Sequence, residues 1–192
     1  MMPLSFDEDA MWRPLEGVEP SLLPASPSGK QVEYAGKLDR CEDFRDVFAL
    51  VKESVKEALG MERTGLMLYL RDLPMKVGAY HQLGTNGIIM NRILLEQVVQ
   101  ATASRLEVNA FIYFILLHEY LHTLGLIDEM RVRHLTYQVT EETFGSAHVA
   151  TKIAVEGPWS LIKLMPFHAS RPYERGVEIV RDFEDPSSNY IA

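Results

Sequence analysis

One stretch of the sequence, VNAFIYFILLHEYLHTLG at residues 108–125, constrains the fold more than any other. It is long enough for about five helical turns and is apolar on nearly every face, which predicts a central buried helix. The second half of the stretch nevertheless carries two histidines and a glutamate: His118, Glu119 and His122. Unpaired polar groups are costly inside such a helix, so we expect these three residues to share a binding task.

The two histidines are spaced to bind one metal ion. Positions i and i+4 of a helix lie one above the other on the same face, so His118 and His122 can each offer a ring nitrogen to the same ion. Glu119 lies one step round the helix, where it can reach a water molecule on that ion. Zinc lowers the pKa of its bound water toward neutrality, and a glutamate in this position accepts the proton. The sequence therefore predicts a Zn2+ site with Glu119 as the catalytic general base.

A catalytic zinc site needs a third protein ligand and an open fourth position. The residues after His122 predict how that ligand is supplied. Gly125 permits a left-handed conformation, which ends the helix and turns the chain back. Asp128 follows three residues later and offers a carboxylate oxygen beside the histidines. We therefore expect His118, His122 and Asp128 to be the metal ligands.

The segment HEYLHTLGLID, residues 118–128, resembles the metzincin form of the zincin metallopeptidases, in the variant whose third ligand is an aspartate. The resemblance implies a hydrolase that cleaves peptide bonds in a protein or peptide substrate. It also implies that a helix and strands precede the metal helix, and that an edge strand receives the substrate as an added strand. We assign that edge to GAYHQLGTNGIIMN, residues 78–91.

The sequence departs from the metzincin pattern in some places. Metzincins carry a methionine turn beneath the metal. Met165 in IKLMPF is the candidate for it, with Phe167 where some members have a tyrosine. In the related gluzincin-type zincins, a glutamate on the following helix is the third ligand. Glu129 and Glu142 both resemble that glutamate in position, so they stand second and third to Asp128 as candidates.

Other polar residues are further candidates for the cleft. His134 and Tyr137 lie one turn apart on the helix that follows, and either could stabilise an oxyanion. A packed or solvated helix face is the favoured explanation for both residues, and the same holds for His81 in the expected edge strand. Cys41 lies in DRCEDF, which does not match the inhibitory cysteine segment of some zincins.

The composition of the chain changes near residue 38. Residues 1–38 are rich in Pro, Ser, Gly and acids and predict an extended arm, whose scattered apolar residues favour partial docking. Residues 39–192 predict one α+β, zincin-like domain, in which a small mixed sheet packs on the central HExxH helix and further helices. We expect helices at 41–60, 92–106, 108–125, 128–145 and in part of 146–167, and strands at 65–74 and 77–91.

Charge and composition argue against several classes of function. With 27 acidic against 19 basic residues and a net charge of -8, a nucleic-acid partner is not expected. The longest apolar run, residues 110–117, is far shorter than the roughly 20 residues that span a bilayer. The N-terminal sequence MMPLSFDEDAMW lacks the features of a signal peptide, and a single cysteine allows no internal disulfide. We therefore expect a cytoplasmic protein that does not contact membranes.

Two functions follow from these features. The first is a zinc metallopeptidase that uses a zinc-activated water and Glu119. The alternative is a non-catalytic zincin-fold binding or regulatory protein whose metal site is structural or vestigial. The presence of Glu119 favours the enzyme, because a purely structural site needs no general base. Zinc-dependent hydrolysis of a substrate other than a peptide is a third possibility.

Overall fold

The computed structural model describes residues 15, 26–102, 104–162 and 175–184. This part of the chain forms a mixed α+β fold with six α-helices, one 3-10 helix and one four-stranded sheet, which confirms the α+β class. Within these residues, no helix is both long and apolar enough to cross a membrane. The helices are α1 (Gly29–Arg40), α2 (Phe44–Leu59), α3 (Arg92–Ala101), α4 (Arg105–Thr123), α5 (Glu129–Phe144), α6 (Val149–Glu156) and the 3-10 helix Pro158–Leu161; the strands are β1 (Met67–Arg71), β2 (Ala79–His81), β3 (Gly87–Asn91) and β4 (Glu178–Val180).

The sheet has the strand order β2-β3-β1-β4. Strands β1 and β3 run parallel, with Leu68 opposite Ile88, and β2 pairs antiparallel with β3. On the other side of β1, β4 pairs antiparallel, with Val180 opposite Leu68. Strand β2 is therefore at an edge of the sheet. The turn that joins it to β3 contains Gly84, whose φ of 81° is left-handed.

Helix α4 forms the centre of the molecule, as its composition predicted. Every side chain from Asn109 to Leu121 is buried, and helices α2, α5 and α6 pack around it. Helix α2 supplies an amphipathic neighbour and ends at Gly60, whose φ of 66° is left-handed, as expected of a helix-terminating glycine. The polar groups of His118 and Glu119 are held inside this apolar core, where each residue is only 1% exposed.

The structure differs from the expected organisation at the start of the domain. Residues 29–38, which we expected to end the extended arm, belong to α1, so residue 38 falls inside a helix. Ser28 and Gln31 form a capping box that starts this helix. Tyr34 and Leu38, four residues apart, form its buried face. These two apolar residues are too few to show a helical period, and they follow directly on a Pro-Ser-Gly sequence. The expected extended arm therefore reached about ten residues too far along the chain.

Leu15 is the one described residue upstream of residue 26. Its side chain is buried, and its backbone N–H donates to the carbonyl of Val155 in α6, 3.0 Å away. This contact agrees with the expected docking of apolar arm residues on the domain. The other residues to which that expectation applied, Met11, Trp12, Leu22 and Leu23, lie outside the described part of the chain.

Residues 175–184 close the fold from the C-terminal side. They supply β4, the strand that covers β1. The ring of Phe183 stacks on Phe48 of α2, with the ring centroids 4.3 Å apart. The carboxylate of Glu184 forms a largely buried ion pair with Lys52, with N and O 3.0 Å apart. The segment is thus held to α2 as well as to the sheet.

Candidate metal centre

Three side chains converge where α4 ends and α5 begins. Nε2 of His118 lies 3.2 Å from Oε1 of Glu129, and Nε2 of His122 lies 3.3 Å from Oε2 of the same glutamate. The two Nε2 atoms are 3.3 Å apart. All three ligand atoms lie within 4.8 Å of one another, which is close enough to bind a single ion. We refer to these three residues as the candidate metal centre.

A sharp turn at Gly125 brings the two helices together. Gly125 has a φ of 90°, and its N–H donates to the carbonyl of His122. The N–H of Leu126 donates to the carbonyl of Leu121. Such bonds satisfy the last carbonyls of a helix when a glycine adopts the left-handed conformation. The predicted helix end is therefore confirmed, and the chain returns past His122.

A backbone carbonyl fixes the ring of His122. Nδ1 of this histidine lies 2.8 Å from the carbonyl oxygen of Leu126. Because a carbonyl only accepts hydrogen bonds, Nδ1 carries the proton, and Nε2 directs its lone pair toward the candidate metal centre. Metal-binding histidines commonly have this arrangement, which sets both the ring orientation and the tautomer. His122 therefore has the geometry of a metal ligand.

The acid that joins the two histidines is Glu129, the second of the three candidates from the sequence. The side chain of Asp128, the first candidate, accepts the backbone N–H of Arg131 at 2.7 Å and caps α5. The third candidate, Glu142, is exposed and lies about 20 Å further along the same helix. Aspartate is among the preferred N-cap residues, and this local role turns Asp128 away while Glu129 faces the histidines.

Electrostatics couple Glu129 to the histidines. Burial raises the pKa of Glu129, but contacts with His118 and His122 outweigh that effect and hold the pKa at about 2. Burial lowers the pKa of His122, yet Glu129 and Glu119 raise it more, so the net shift is upward. The site thus favours a positive charge among these groups. A metal ion suits such a site and would displace the proton from His122.

Glu119 lies beside His118 with a carboxyl oxygen unsatisfied. Burial raises the pKa of this glutamate, while the neighbouring histidines and the backbone N–H of His81 act in the opposite direction. Oε1 of Glu119 has no hydrogen-bond partner among the described residues. An orphaned buried oxygen costs about 1–3 kcal/mol, so the site is complete only with a further polar group. A metal ion with a water molecule fits that requirement.

The other polar candidates from the sequence are engaged elsewhere. Nδ1 of the exposed His134 lies 2.8 Å from a carbonyl of its own helix. The Tyr137 hydroxyl donates to Glu141 at 2.6 Å. Nδ1 of His81 lies 2.9 Å from the carbonyl of Gly87 in the hairpin. Of these three residues, His81 alone acts on the pKa of Glu119, through its backbone N–H.

One further candidate among the described residues, Cys41, does not join the centre. Cys41 is buried, burial raises the pKa of its thiol to about 11, and its Sγ lies 3.3 Å from the carbonyl of Lys37. The thiol is therefore held in its neutral form within the core. Met165 and Phe167, the residues considered for a methionine turn, lie outside the described residues.

Sequence reasoning missed two arginines near the centre. Arg63, in the loop before β1, donates to the carbonyls of Thr123 and Thr85 at 2.5 and 3.0 Å, and so ties the end of α4 to the β2–β3 turn. Arg133 is almost fully buried, and Glu129 opposes the lowering of its pKa by burial. Only Arg133 left a signal in the sequence, as a base four residues after an acid on one helix.

Comparison of this chain with family models, curated proteins and solved structures finds no match. Its function therefore has to be inferred from the atoms of the candidate metal centre and from the residues that surround it. The inference depends on four side chains: His118, Glu119, His122 and Glu129.

Proposed function

We propose that this chain is a zinc-dependent metallopeptidase of the zincin type. The main support for this proposal is that ligand atoms of His118, His122 and Glu129 lie within 4.8 Å of one another. Beside them lies the buried carboxyl group of Glu119, whose Oε1 has no hydrogen-bond partner in the described residues. In this proposal His118, His122 and Glu129 bind the metal, and Glu119 is the general base. Two imidazole nitrogens and one carboxylate oxygen make up a known catalytic zinc ligand set, which leaves a fourth position open.

With Glu129 as the third ligand, the chain resembles the gluzincin branch of the zincins and not the metzincin branch. The aspartate expected of the metzincin form caps α5 instead. A glutamate on the helix after the HExxH helix is the gluzincin arrangement, which is the alternative that the sequence left open. We therefore assign the proposed enzyme to the gluzincin-like form, with Asp128 as the residue that starts the glutamate-bearing helix.

Each residue of the site has a defined task in the proposed hydrolysis. His118, His122 and Glu129 would hold the zinc, which would supply an activated water and polarise the substrate carbonyl. Glu119 accepts a proton from the attacking water and returns it to the leaving amine, as a positioned general acid–base does. The backbone N–H of His81 favours the ionised form of Glu119, because it acts to lower the pKa of that carboxyl group. The carbonyl of Leu126 keeps His122 in the tautomer that binds metal through Nε2.

The free edge of β2 is the proposed binding site for the peptide backbone. Among the described residues, strand β2 pairs with β3 on one side only, so the backbone groups of its other edge have no strand partner. An extended peptide can add to such an edge as a further strand. The packing of β2 against α4 supports this placement, because α4 is the helix that carries the general base.

Replacement of the general base tests this function. Glu119→Gln keeps the shape of the side chain but cannot accept a proton, so peptide hydrolysis should fall by roughly two to four orders of magnitude. Zinc should remain bound, at about one ion per chain, because Glu119 is not a ligand. We would measure zinc by elemental analysis and cleavage with an unbiased peptide library.

The matched control is Glu142→Gln, an equivalent change at an exposed glutamate of α5, which should alter neither zinc content nor cleavage. Full activity of the Glu119→Gln protein would rule out the mechanism. A zinc-loaded protein that cleaves no peptide, with or without residues 1–25, would instead support the non-catalytic zincin.

A further inference from the structure

Eight large apolar side chains are exposed in the described residues. Three of them, Leu83, Ile127 and Met130, belong to the two segments that border the candidate metal centre, and their exposed fractions are 62%, 71% and 48%. Apolar side chains gathered around a polar cleft are characteristic of ligand sites. We call these three residues the apolar rim.

Two members of the rim are fixed by the metal centre itself. Ile127 and Met130 flank Glu129 in the sequence, within two residues on either side. The carbonyl of Leu126 lies 2.8 Å from Nδ1 of His122, which holds the start of this segment against the end of α4. Since neighbouring Cα atoms are about 3.8 Å apart, Ile127 and Met130 cannot be far from the centre.

The third member approaches from the sheet. Leu83 lies in the β2–β3 turn, two residues after His81, the last residue of a strand that packs against α4. Arg63 bonds both the Thr85 carbonyl of this turn and the Thr123 carbonyl at the end of α4. The turn and the α4–α5 segment are thus held at the same end of the metal helix.

We propose that the apolar rim binds a large apolar side chain of the peptide substrate, close to the bond that is cleaved. This inference rests on the proposed function and specifies its substrate class. The occupant is an extended peptide, because Leu83 of the rim follows the edge strand β2 by two residues. Backbone bonding to an edge strand carries no sequence information, so selectivity must come from side-chain contacts. Leucine and methionine adapt their shapes readily, so leucine, methionine and phenylalanine should all be accepted.

Direct peptide binding tests the rim without requiring catalysis. The zinc-loaded full chain with Glu119→Gln would be titrated with labelled peptides that differ only in a central Leu, Met, Phe, Ser, Asp or Lys, and binding followed by fluorescence anisotropy. Peptides with a large apolar residue should bind roughly tenfold or more tightly than the serine peptide. Ile127→Ser and Met130→Ser should each remove much of that advantage, so that the apolar peptides bind more nearly as weakly as the serine peptide.

The matched control is Val32→Ser. Val32 has a similar exposed fraction, 58%, but lies on α1 beside Gln31, whose side chain bonds the Glu141 carbonyl near the far end of α5. This variant should retain full selectivity. Equal binding of all peptides, or unchanged selectivity in both rim variants, would overturn the proposal. So would a change from dimer to monomer caused by Ile127→Ser, because the rim would then contact a second copy of the chain.

The outcomes also separate this inference from the proposed function. Hydrolysis that depends on Glu119 but shows no apolar selectivity contradicts the rim and leaves the peptidase intact. Selective binding that Ile127→Ser and Met130→Ser abolish, in a protein that cleaves nothing, supports the rim and contradicts the peptidase.

Discussion

Two neighbouring acids, Asp128 and Glu129, have different tasks because a helix begins between them. The side chain of Asp128 accepts the N–H of Arg131 and so satisfies one of the orphan donors of α5. Glu129 is the first residue of that helix, and its carboxylate reaches the Nε2 atoms of His118 and His122. One residue of displacement along the chain thus separates a structural acid from a proposed metal ligand.

This division predicts opposite phenotypes for two alanine substitutions. Glu129→Ala should weaken zinc binding by more than the roughly 10–100-fold typical of losing a residue that only orients a ligand. Asp128→Ala should lower the free energy of unfolding by about 1 kcal/mol through loss of the cap, with a smaller effect on zinc. Chelator competition measures zinc affinity, and urea unfolding measures stability. Loss of zinc from Asp128→Ala alone would restore the metzincin reading.

At the residue scale, the sequence predicted most of the site. The i, i+4 spacing predicted that His118 and His122 would share one face of a helix, and the structure brings their Nε2 atoms together. The choice between Asp128 and Glu129 could not be made in advance. Both acids have suitable spacing, and only the exact residue at which α5 begins decides which carboxylate points to the histidines.

At the scale of elements, the turn at Gly125 determines where α5 starts relative to α4. Its φ of 90° is strained for any residue with a Cβ, whereas an added Cβ would meet no atom within 4 Å. Gly125→Ala should therefore cost about 1–2 kcal/mol of stability through backbone conformation alone. Zinc affinity should also fall, because the turn positions Glu129.

Urea unfolding and zinc competition would check this prediction, with Gly29→Ala as the control. Gly29 has a negative φ and is the first residue of helix α1. As at Gly125, an added Cβ would meet no atom within 4 Å. Alanine there should leave the unfolding free energy within about 0.5 kcal/mol. An equally small effect at Gly125 would show that the turn tolerates a side chain.

Helices and strands with a clear period of apolar residues could be predicted from the sequence, and an element without such a period could not. Helices α2, α4 and α5 and strands β1, β2 and β3 lie where their apolar patterns placed them. Strand β4 was missed, because three residues are too few to show alternation. Its pairing partner is β1, which is distant in the sequence, so no local sequence pattern could predict the contact.

At the scale of the whole molecule, stability and the candidate metal centre are linked through protons. In the metal-free protein, the folded pKa of Glu129 is about 2, below its unfolded value of about 4.3. Its contribution to stability is therefore present above pH 4.3 and lost as the pH falls toward 2. The pKa of His122 is raised, so its contribution is full below its unfolded value of about 6.5 and lost as the pH rises through the folded value.

These signs predict a pH profile. The experiment compares the unfolding free energy of the unsubstituted protein with that of Glu129→Gln, both measured in urea with a chelator present. The difference between the two free energies should be largest between about pH 5 and 6. It should decline on both sides of that window. The corresponding difference for Glu142→Gln should be flat. A constant difference for Glu129→Gln from pH 3 to 8 would show that the glutamate and histidines are not coupled.

The covering of β1 by β4 has a consequence for protein synthesis. Leu68 and Val180 are paired across these strands, and the ribosome adds the roughly 110 residues between them in about 6 to 22 s at ordinary elongation rates. During that interval β1 exists without its outer neighbour and presents an open row of backbone donors and acceptors. The HExxH helix and Glu129 are translated within the same interval. Every proposed ligand is therefore in the nascent chain before β4, the strand that pairs with the outer edge of β1. Crowded polysomes that make this protein therefore hold chains with an exposed β1 edge for seconds, and that edge is where neighbouring nascent chains would first associate.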